Sequence, residues 1–254
     1  MMNIFTIARR DFRSYFNSPV AYIVITGFLA IMGYMFYFGF AHYVAQNAQY
    51  QQFNMGKSIS ITDGVIKPLY GNMNLIFLFL VPFITMRLFA EEKKLHTIEL
   101  LMTSPVTLTE IILGKFFSAL GLVLVMLSFT IVYPIILFAT GNPEIGPIVT
   151  SYFGIILVTA CYVALGILFS AMTENQIIAG ALTFATGLFF WIISWAASSA
   201  GPVWSDVLMH LSLIDHYSNF GQGIVSTTDA FYYLSFIGIG LFLTHRVLDS
   251  FRWR

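Results

Sequence analysis

Charged side chains are scarce in this sequence. Only 9% of its 254 residues are Asp, Glu, Lys or Arg, against about 25% in an ordinary soluble domain. Twelve basic residues balance twelve acidic ones, which excludes a general basic surface for DNA or RNA. The lone cysteine, Cys161, excludes an internal disulfide. Apolar residues make up 58% of the chain, much of it in runs long enough to cross about 30 Å of hydrocarbon. Composition therefore predicts an integral membrane protein.

Six apolar runs predict an all-α transmembrane fold with six spans. The spans are expected at about 19–41, 72–90, 114–139, 148–171, 177–200 and 229–248. Ser18 and Pro19 suit the start of the first helix, and Pro134 predicts a kink in the third. Residues 173–176 are a short link, so spans four and five form an antiparallel hairpin. We expect residues 1–254 to form a single transmembrane domain, with the first run retained as a span rather than cleaved as a signal peptide.

Basic residues fall mainly on one side of these spans. By the positive-inside rule, the clusters at Arg9–Arg13, Arg87–Lys115 and Arg246–Arg254 mark the cytoplasmic side, and only Lys57 and Lys67 fall on the other. Both termini are then cytoplasmic.

The first eighteen residues have the pattern of an amphipathic helix. Phe12 falls on its apolar face, whereas Arg9, Arg10 and Arg13 fall on its polar face. Such a helix lies in the headgroup layer with its arginines toward anionic lipid. It serves either as a membrane anchor or as a gating lever joined to the first span.

The block from Arg87 to Lys115 cannot lie in lipid, because an unpaired charge at the bilayer centre costs about 3 kcal/mol or more. Ser104 and Pro105 divide it into two short helices, and Thr107 with Glu110 has the spacing of a capping box. The first helix is expected to place Leu88, Leu95, Ile98 and Met102 on one face. The block is either a hairpin that docks on another protein or a solvated loop whose charges fix the topology.

Signatures of chemistry on the chain itself are weak. Gly56-Lys57-Ser58 ends like a phosphate-binding loop, but Gln51 replaces the first glycine. The outer segment 201–229 contains five polar residues of metal-binding type: Asp206, His210, Asp215, His216 and Asp229. Asp206 and His210 alone have a helical spacing, whereas a metal site needs three or four converging donors. The favoured interpretation is that these five residues are solvated or cap helices, and we expect no catalytic, metal or cofactor site.

The sequence resembles the membrane permeases of ABC-2-type ABC transporters along its whole length. The resemblance rests on the segments EEKK (91–94), TIELL (97–101), SPV (104–106) and GK (114–115), on SAMTENQ (170–176), and on NFGQG (219–223). Within the family it is most similar to the gliding-motility-associated (Gld-type) permeases. His96 stands where the family usually has glycine, which predicts continuous helix at that position instead of a chain break.

The resemblance implies a permease without its own ATPase, in a bacterial inner membrane, that pairs with a second copy or a paralogue. Two cytoplasmic ATPase subunits carrying ATP and Mg²⁺ would bind it, and auxiliary membrane or periplasmic subunits fit the same scheme. The implied coupling residues are Glu91, Glu92, Lys93, Lys94, Thr97, Glu99 and Pro105. Spans one and five would line the dimer contact or the transport path, where Gly27, Gly33, Ala181 and Ala185 allow close helix packing; ordinary packing within one chain is an equal alternative.

Two other classes compete with an ATP-driven permease. An ion-coupled carrier or channel usually needs ionisable residues inside its spans, but residues 19–41, 116–139, 148–172 and 177–200 contain no Asp, Glu, Lys, Arg or His. A bare membrane anchor of a complex is the third class. The leading hypothesis is an ATP-driven permease that exports or acts on an envelope substrate. The substrate itself does not follow from the sequence, although an apolar lining favours an amphipathic or lipid-like cargo, or a motion-transmitting role without a continuous pore.

Overall fold

The computed structural model describes residues 2–52, 60–99, 106–199 and 201–251. Within these ranges every regular element is helical and no strand occurs. The helices are α1 (Met2–Asn17), α2 (Pro19–Gln52), α3 (Lys67–Thr85, preceded by a π-helical turn at Thr62–Ile66), α4 (Ala90–Lys94), α5 (Leu108–Thr130), α6 (Val132–Thr140), α7 (Ile145–Met172), α8 (Gln176–Ser199), α9 (Pro202–Leu211), α10 (Leu213–Gly221) and α11 (Thr227–Phe251).

Six helical stretches of the described chain are long and apolar enough to cross a membrane. They are span one (Ala21–Tyr50), span two (Thr62–Lys94), span three (Leu108–Thr140), span four (Ile145–Met172), span five (Gln176–Ala197) and span six (Thr227–Phe251). The predicted all-α fold with six spans is therefore confirmed, and the chain is a multi-pass membrane protein.

Helix α2 continues well past the predicted end of the first apolar run. Its 34 residues correspond to about 51 Å at 1.5 Å per residue, whereas the hydrocarbon core is about 30 Å thick. The apolar run ends at about residue 41, but backbone hydrogen bonding continues the helix into the polar residues that follow, as far as Gln52.

The third span is interrupted where Pro134 predicts a kink. Helix α5 ends at Thr130 and α6 begins at Val132. Pro134 has no N–H to donate to the carbonyl of Thr130, four residues earlier, so the α-helical ladder cannot continue unbroken through this turn.

Span four is the centre of the fold. In its apolar window 83% of the residues are buried, against 11% in span one and 22% in each of spans five and six. Span four packs against spans two, three, five and six and against α10. Spans one, five and six therefore present their outer faces to whatever surrounds a single chain.

Candidate functional site

Helix α1 packs along the beginning of span three. The side chain of Asn3 donates to Glu110, with an Nδ2–Oε1 distance of 3.2 Å. Four residues further along both helices, Ile7 is so close to Gly114 that a Cβ atom added there would lie 2.7 Å from the Ile7 Cγ2 atom. Because these contacts advance in the same direction along both helices, α1 runs parallel to the beginning of span three and packs on it through Ile7.

The other end of α1 is joined to the end of α3 by a hydrogen bond. Tyr15 is buried, and its hydroxyl donates to the carbonyl of Ile84 at 3.3 Å. Burial raises the pKa of the Tyr15 hydroxyl well above its usual value, so it remains a neutral donor. Helix α1 therefore packs on span three and is tied to span two through Tyr15.

The residues predicted for the interface helix have different environments. Arg9 and Arg13 are exposed, and Phe12 is partly buried. Arg10 is exposed as well, but its guanidinium lies 2.8 Å from the Asp11 carboxylate and 3.9 Å from that of Glu92. The position of α1 relative to lipid headgroups stays a prediction.

The beginning of the charged block is anchored to span four by Ser170. Its hydroxyl oxygen accepts hydrogen bonds from the backbone N–H groups of Phe89 at 3.0 Å and Ala90 at 3.1 Å, and it donates to the carbonyl of Met86 at 3.0 Å. One side chain therefore satisfies backbone groups that the turn after Thr85 leaves without helical partners.

The helix ends just before His96, so the prediction of continuous helix at this position was wrong. Helix α4 ends at Lys94, and His96 has a φ of 55°, in the left-handed region where glycine is the usual residue. The predicted common apolar face is wrong as well, because the helix contains only Ala90–Lys94. Leu88 lies in the turn before this helix and is 7% exposed, whereas Leu95 lies just after it and is 63% exposed. Met102 lies outside the described residues.

Two of the seven predicted coupling residues, Glu92 and Lys93, face the protein. Lys93 is 5% exposed, its ammonium donates to the carbonyl of Ala171 at the end of span four, and it lies 3.4 Å from the centre of the Phe251 ring. Glu92 accepts from the Lys115 ammonium, with an Oε1–Nζ distance of 2.7 Å. These two residues connect the block to the spans.

Lys115, at the beginning of span three, is the centre of an ion cluster. Its side chain is only 3% exposed and also lies 3.3 Å from the Asp11 carboxylate. With Arg10, the cluster contains two cations and two anions. The sequence identifies Lys115 as a charge at the end of the block and as part of the GK segment, but it does not identify its carboxylate partners, because neither is near it in the chain.

Three of the other predicted coupling residues are exposed. Lys94, Thr97 and Glu99 are exposed and Glu91 is partly exposed, whereas Pro105 lies outside the described residues. A cavity of about 490 Å³ opens between α1 and this part of the block, lined among others by Asp11, Tyr15, Arg87, Leu88, Glu91 and Lys115.

The residues predicted for a dimer contact or path lie mostly on outer faces. A Cβ atom added at Gly27 would meet nothing within 4 Å, whereas at Gly33 it would lie 3.7 Å from the Tyr133 hydroxyl. Ala181 and Ala185 are exposed on span five. Ala181 also lines an apolar cavity of about 370 Å³ between spans two and five.

The segment 201–229 forms a polar cluster that was not predicted from the sequence. His216 lies 2.6 Å from Asp229, measured from Nδ1 to Oδ1, and Asn219 donates to the other carboxylate oxygen at 2.8 Å. Asp206 and His210 share α9, but the imidazole contacts the backbone carbonyl of Asp206 rather than its carboxylate. Among the described residues, no three His, Cys, Asp or Glu side chains converge as a metal site would require.

A family model matches the sequence. The family described as ABC-2 family transporter protein matches residues 5–245, which is nearly the whole chain and includes most of α1, the charged block and all or most of each span. No curated protein matches the sequence.

Proposed function

Because the chain belongs to the ABC-2 family of transporter proteins, whose membrane permeases associate with an ABC ATPase, we propose that two cytoplasmic ATPase subunits bind its charged block and α1. ATP binding and hydrolysis on those subunits drive the spans to export or act on an envelope substrate. ATP and Mg²⁺ are held by the ATPase and not by this chain. Within the family we propose a permease of the gliding-motility-associated type, in a bacterial inner membrane.

The observation that carries this proposal is the division of the charged block into two faces. Glu92 and Lys93 are fixed to spans three and four, whereas Lys94, Thr97 and Glu99 remain exposed on the same short segment. A partner that binds the exposed face therefore contacts a segment fastened directly to the membrane helices, as ATP-driven coupling requires.

Charge reversal of the exposed face tests the ATPase contact. We expect the triple variant Glu91→Lys/Lys94→Glu/Glu99→Lys to lose most of the Mg-ATP hydrolysis that copurifies with the chain from its native membranes. The matched control is Glu144→Lys, a reversal at an exposed position beyond the far end of span three, which should leave the hydrolysis unchanged. If the triple variant and the wild type copurify with the same Mg-ATP hydrolysis, the proposed contact is wrong.

The orientation has a direct test. We propose that Lys94 is cytoplasmic and Glu144 is on the outer side, with both termini in the cytoplasm, because the basic residues collect at the Lys94 side. Single cysteines at these two positions should react with a membrane-impermeant maleimide from opposite sides of sealed vesicles. Cys161 is buried and serves as a silent background. Labelling of both positions from one side would contradict this topology.

We also propose that a second copy or a paralogue packs against spans one and five. The outer faces of these spans carry Gly27, Ala181 and Ala185, and small residues let membrane helices approach closely. Since a side chain at Gly27 meets nothing within its own chain, Gly27→Leu should weaken dimerisation about tenfold, or about 1.4 kcal/mol, without destabilising the monomer. Gly238→Leu on span six, equally open, is the control; equal dimer fractions for both variants would exclude this interface.

A further inference from the structure

Lys115 joins three elements that are far apart in the chain. Its ammonium lies 2.7 Å from Glu92 in the charged block and 3.3 Å from Asp11 in α1, while its own backbone belongs to span three. It also lies 5.0 Å from the centre of the Phe89 ring. The Lys115 side chain is 3% exposed, whereas those of Asp11 and Glu92 are 13% and 23% exposed, so the ammonium itself is largely shielded from water.

The charges of the cluster depend on one another. A buried ammonium needs a carboxylate partner, and a second carboxylate beside the first needs a further cation. Arg10 meets that need from α1, since it lies 2.8 Å from Asp11. The direct contact between α1 and the charged block, from Arg10 to Glu92, is longer at 3.9 Å and exposed on the arginine side. Lys115 is therefore the main electrostatic connection between these two elements.

We propose that Lys115 is a positioning residue of the transport cycle, which fixes α1 and the charged block on span three as one docking surface. Arg13 of α1 and Lys94 of the block are both exposed, and on this proposal the distance between them is set through Lys115. The inference rests on the proposed function for its consequence, namely that motion of the bound ATPase passes to span three. We call this attachment of α1 and the charged block to Lys115 the clamp, and it is a property of the single chain.

The distance between α1 and the charged block tests the clamp without the ATPase. Spin labels at Arg13→Cys and Lys94→Cys, in the full chain reconstituted into lipid nanodiscs, report this distance by pulsed electron resonance, and buried Cys161 remains unlabelled. We expect a narrow distribution in the otherwise native chain. Because Lys115→Met leaves Asp11 and Glu92 without their shared cation, it should broaden the distribution about twofold or more. Lys115→Arg, which keeps the charge, should restore most of the native width.

Two further variants separate a clamp from general loosening. Lys67→Met removes the cation of an exposed pair with Asp63 on the opposite side of the membrane, and it should leave the distribution unchanged. If Lys115→Met yields no folded protein, Glu92→Gln removes one partner only and should broaden the distribution in the same direction. A native distribution in either Lys115→Met or Glu92→Gln overturns the proposal.

The Mg-ATP hydrolysis that copurifies with each variant separates failure of the clamp from failure of the proposed function. A broadened distribution with reduced Mg-ATP hydrolysis in copurified Lys115→Met, and normal hydrolysis in Lys115→Arg, supports both. A broadened distribution in a chain from which neither wild type nor variant recovers any ATPase supports the clamp and contradicts the proposed function. A broadened distribution with full recovery of the ATPase contradicts the proposal that the clamp positions the docking surface.

Discussion

Replacing Gly114 by alanine tests whether α1 is seated directly on span three. A Cβ atom at this position would lie 2.7 Å from Cγ2 and 2.8 Å from Cβ of Ile7, and 3.3 Å from the carbonyl oxygen of Ile4. Rotation of the isoleucine side chain does not move its own Cβ atom, so α1 itself must shift. Overpacking of this kind costs about 1–3 kcal/mol.

Gly71→Ala provides the reference for this measurement. Gly71 is in α3, and a Cβ atom there would meet nothing within 4 Å. Both substitutions gain roughly 1 kcal/mol of helix propensity, so the difference in their free energies of unfolding isolates the contact with α1. We expect Gly71→Ala to be more stable than the wild type and Gly114→Ala to lie about 1–3 kcal/mol below Gly71→Ala.

Unfolding by sodium dodecyl sulfate in mixed micelles, followed by circular dichroism, measures both variants under the same conditions. If Gly114→Ala is as stable as Gly71→Ala, helix α1 does not rest on span three at this glycine. The apolar face of α1 would then be free for lipid, as the amphipathic pattern alone predicts.

Three further outcomes are expected from the same unfolding assay. His96→Gly should stabilise the chain by about 1 kcal/mol, since glycine adopts a φ of 55° without steric cost; a loss of stability would contradict the turn. Asp229→Asn removes the charge that faces the His216 imidazole and should lower the free energy of unfolding by about 1–3 kcal/mol. Asp206→Asn, at an exposed position, should change it by less than about 0.5 kcal/mol. Equal effects of the two substitutions would contradict the polar cluster around Asp229. Ser170→Ala should lower the free energy of unfolding by about 1–3 kcal/mol, because it leaves two buried N–H groups unpaired. Ser128→Ala is the control, because the Ser128 hydroxyl bonds only within its own helix. Equal stabilities of the two variants would contradict the role of Ser170 as an anchor of the charged block.

Interactions between residues close in the chain could be predicted from the sequence. The capping box is confirmed, with the hydroxyl of Thr107 accepting from the backbone of Glu110 and the glutamate side chain accepting in return. The interruption of span three before Pro134 follows equally from one residue's covalent structure. The six spans are readable because hydropathy acts along a continuous run of residues.

Contacts between distant elements could not be predicted, and they decide the candidate site. Whether Lys93 points outward depends on the carbonyl of Ala171, 78 residues away, and no local pattern identifies that partner. The face assignment also assumed a continuous helix, whereas α4 has only five residues, Ala90–Lys94. One turn separates it from α3, and a second follows it where His96 adopts the left-handed conformation expected of glycine. Leu88 lies in the first turn and Leu95 in the second, in different environments.

The scarcity of charge has a further consequence for the block from Arg87 to Lys115. A charged side chain avoids the cost of lipid either by reaching water or by meeting an opposite charge or a carbonyl group inside the protein. Lys94 and Glu99 take the first course, whereas Glu92, Lys93 and Lys115 take the second. Exclusion from lipid therefore does not make every charge of the block a contact for another protein. Reversing Glu92 would break the cluster that fixes the docking surface, so loss of a partner in that variant would say nothing about direct contact; only the exposed charges can report it.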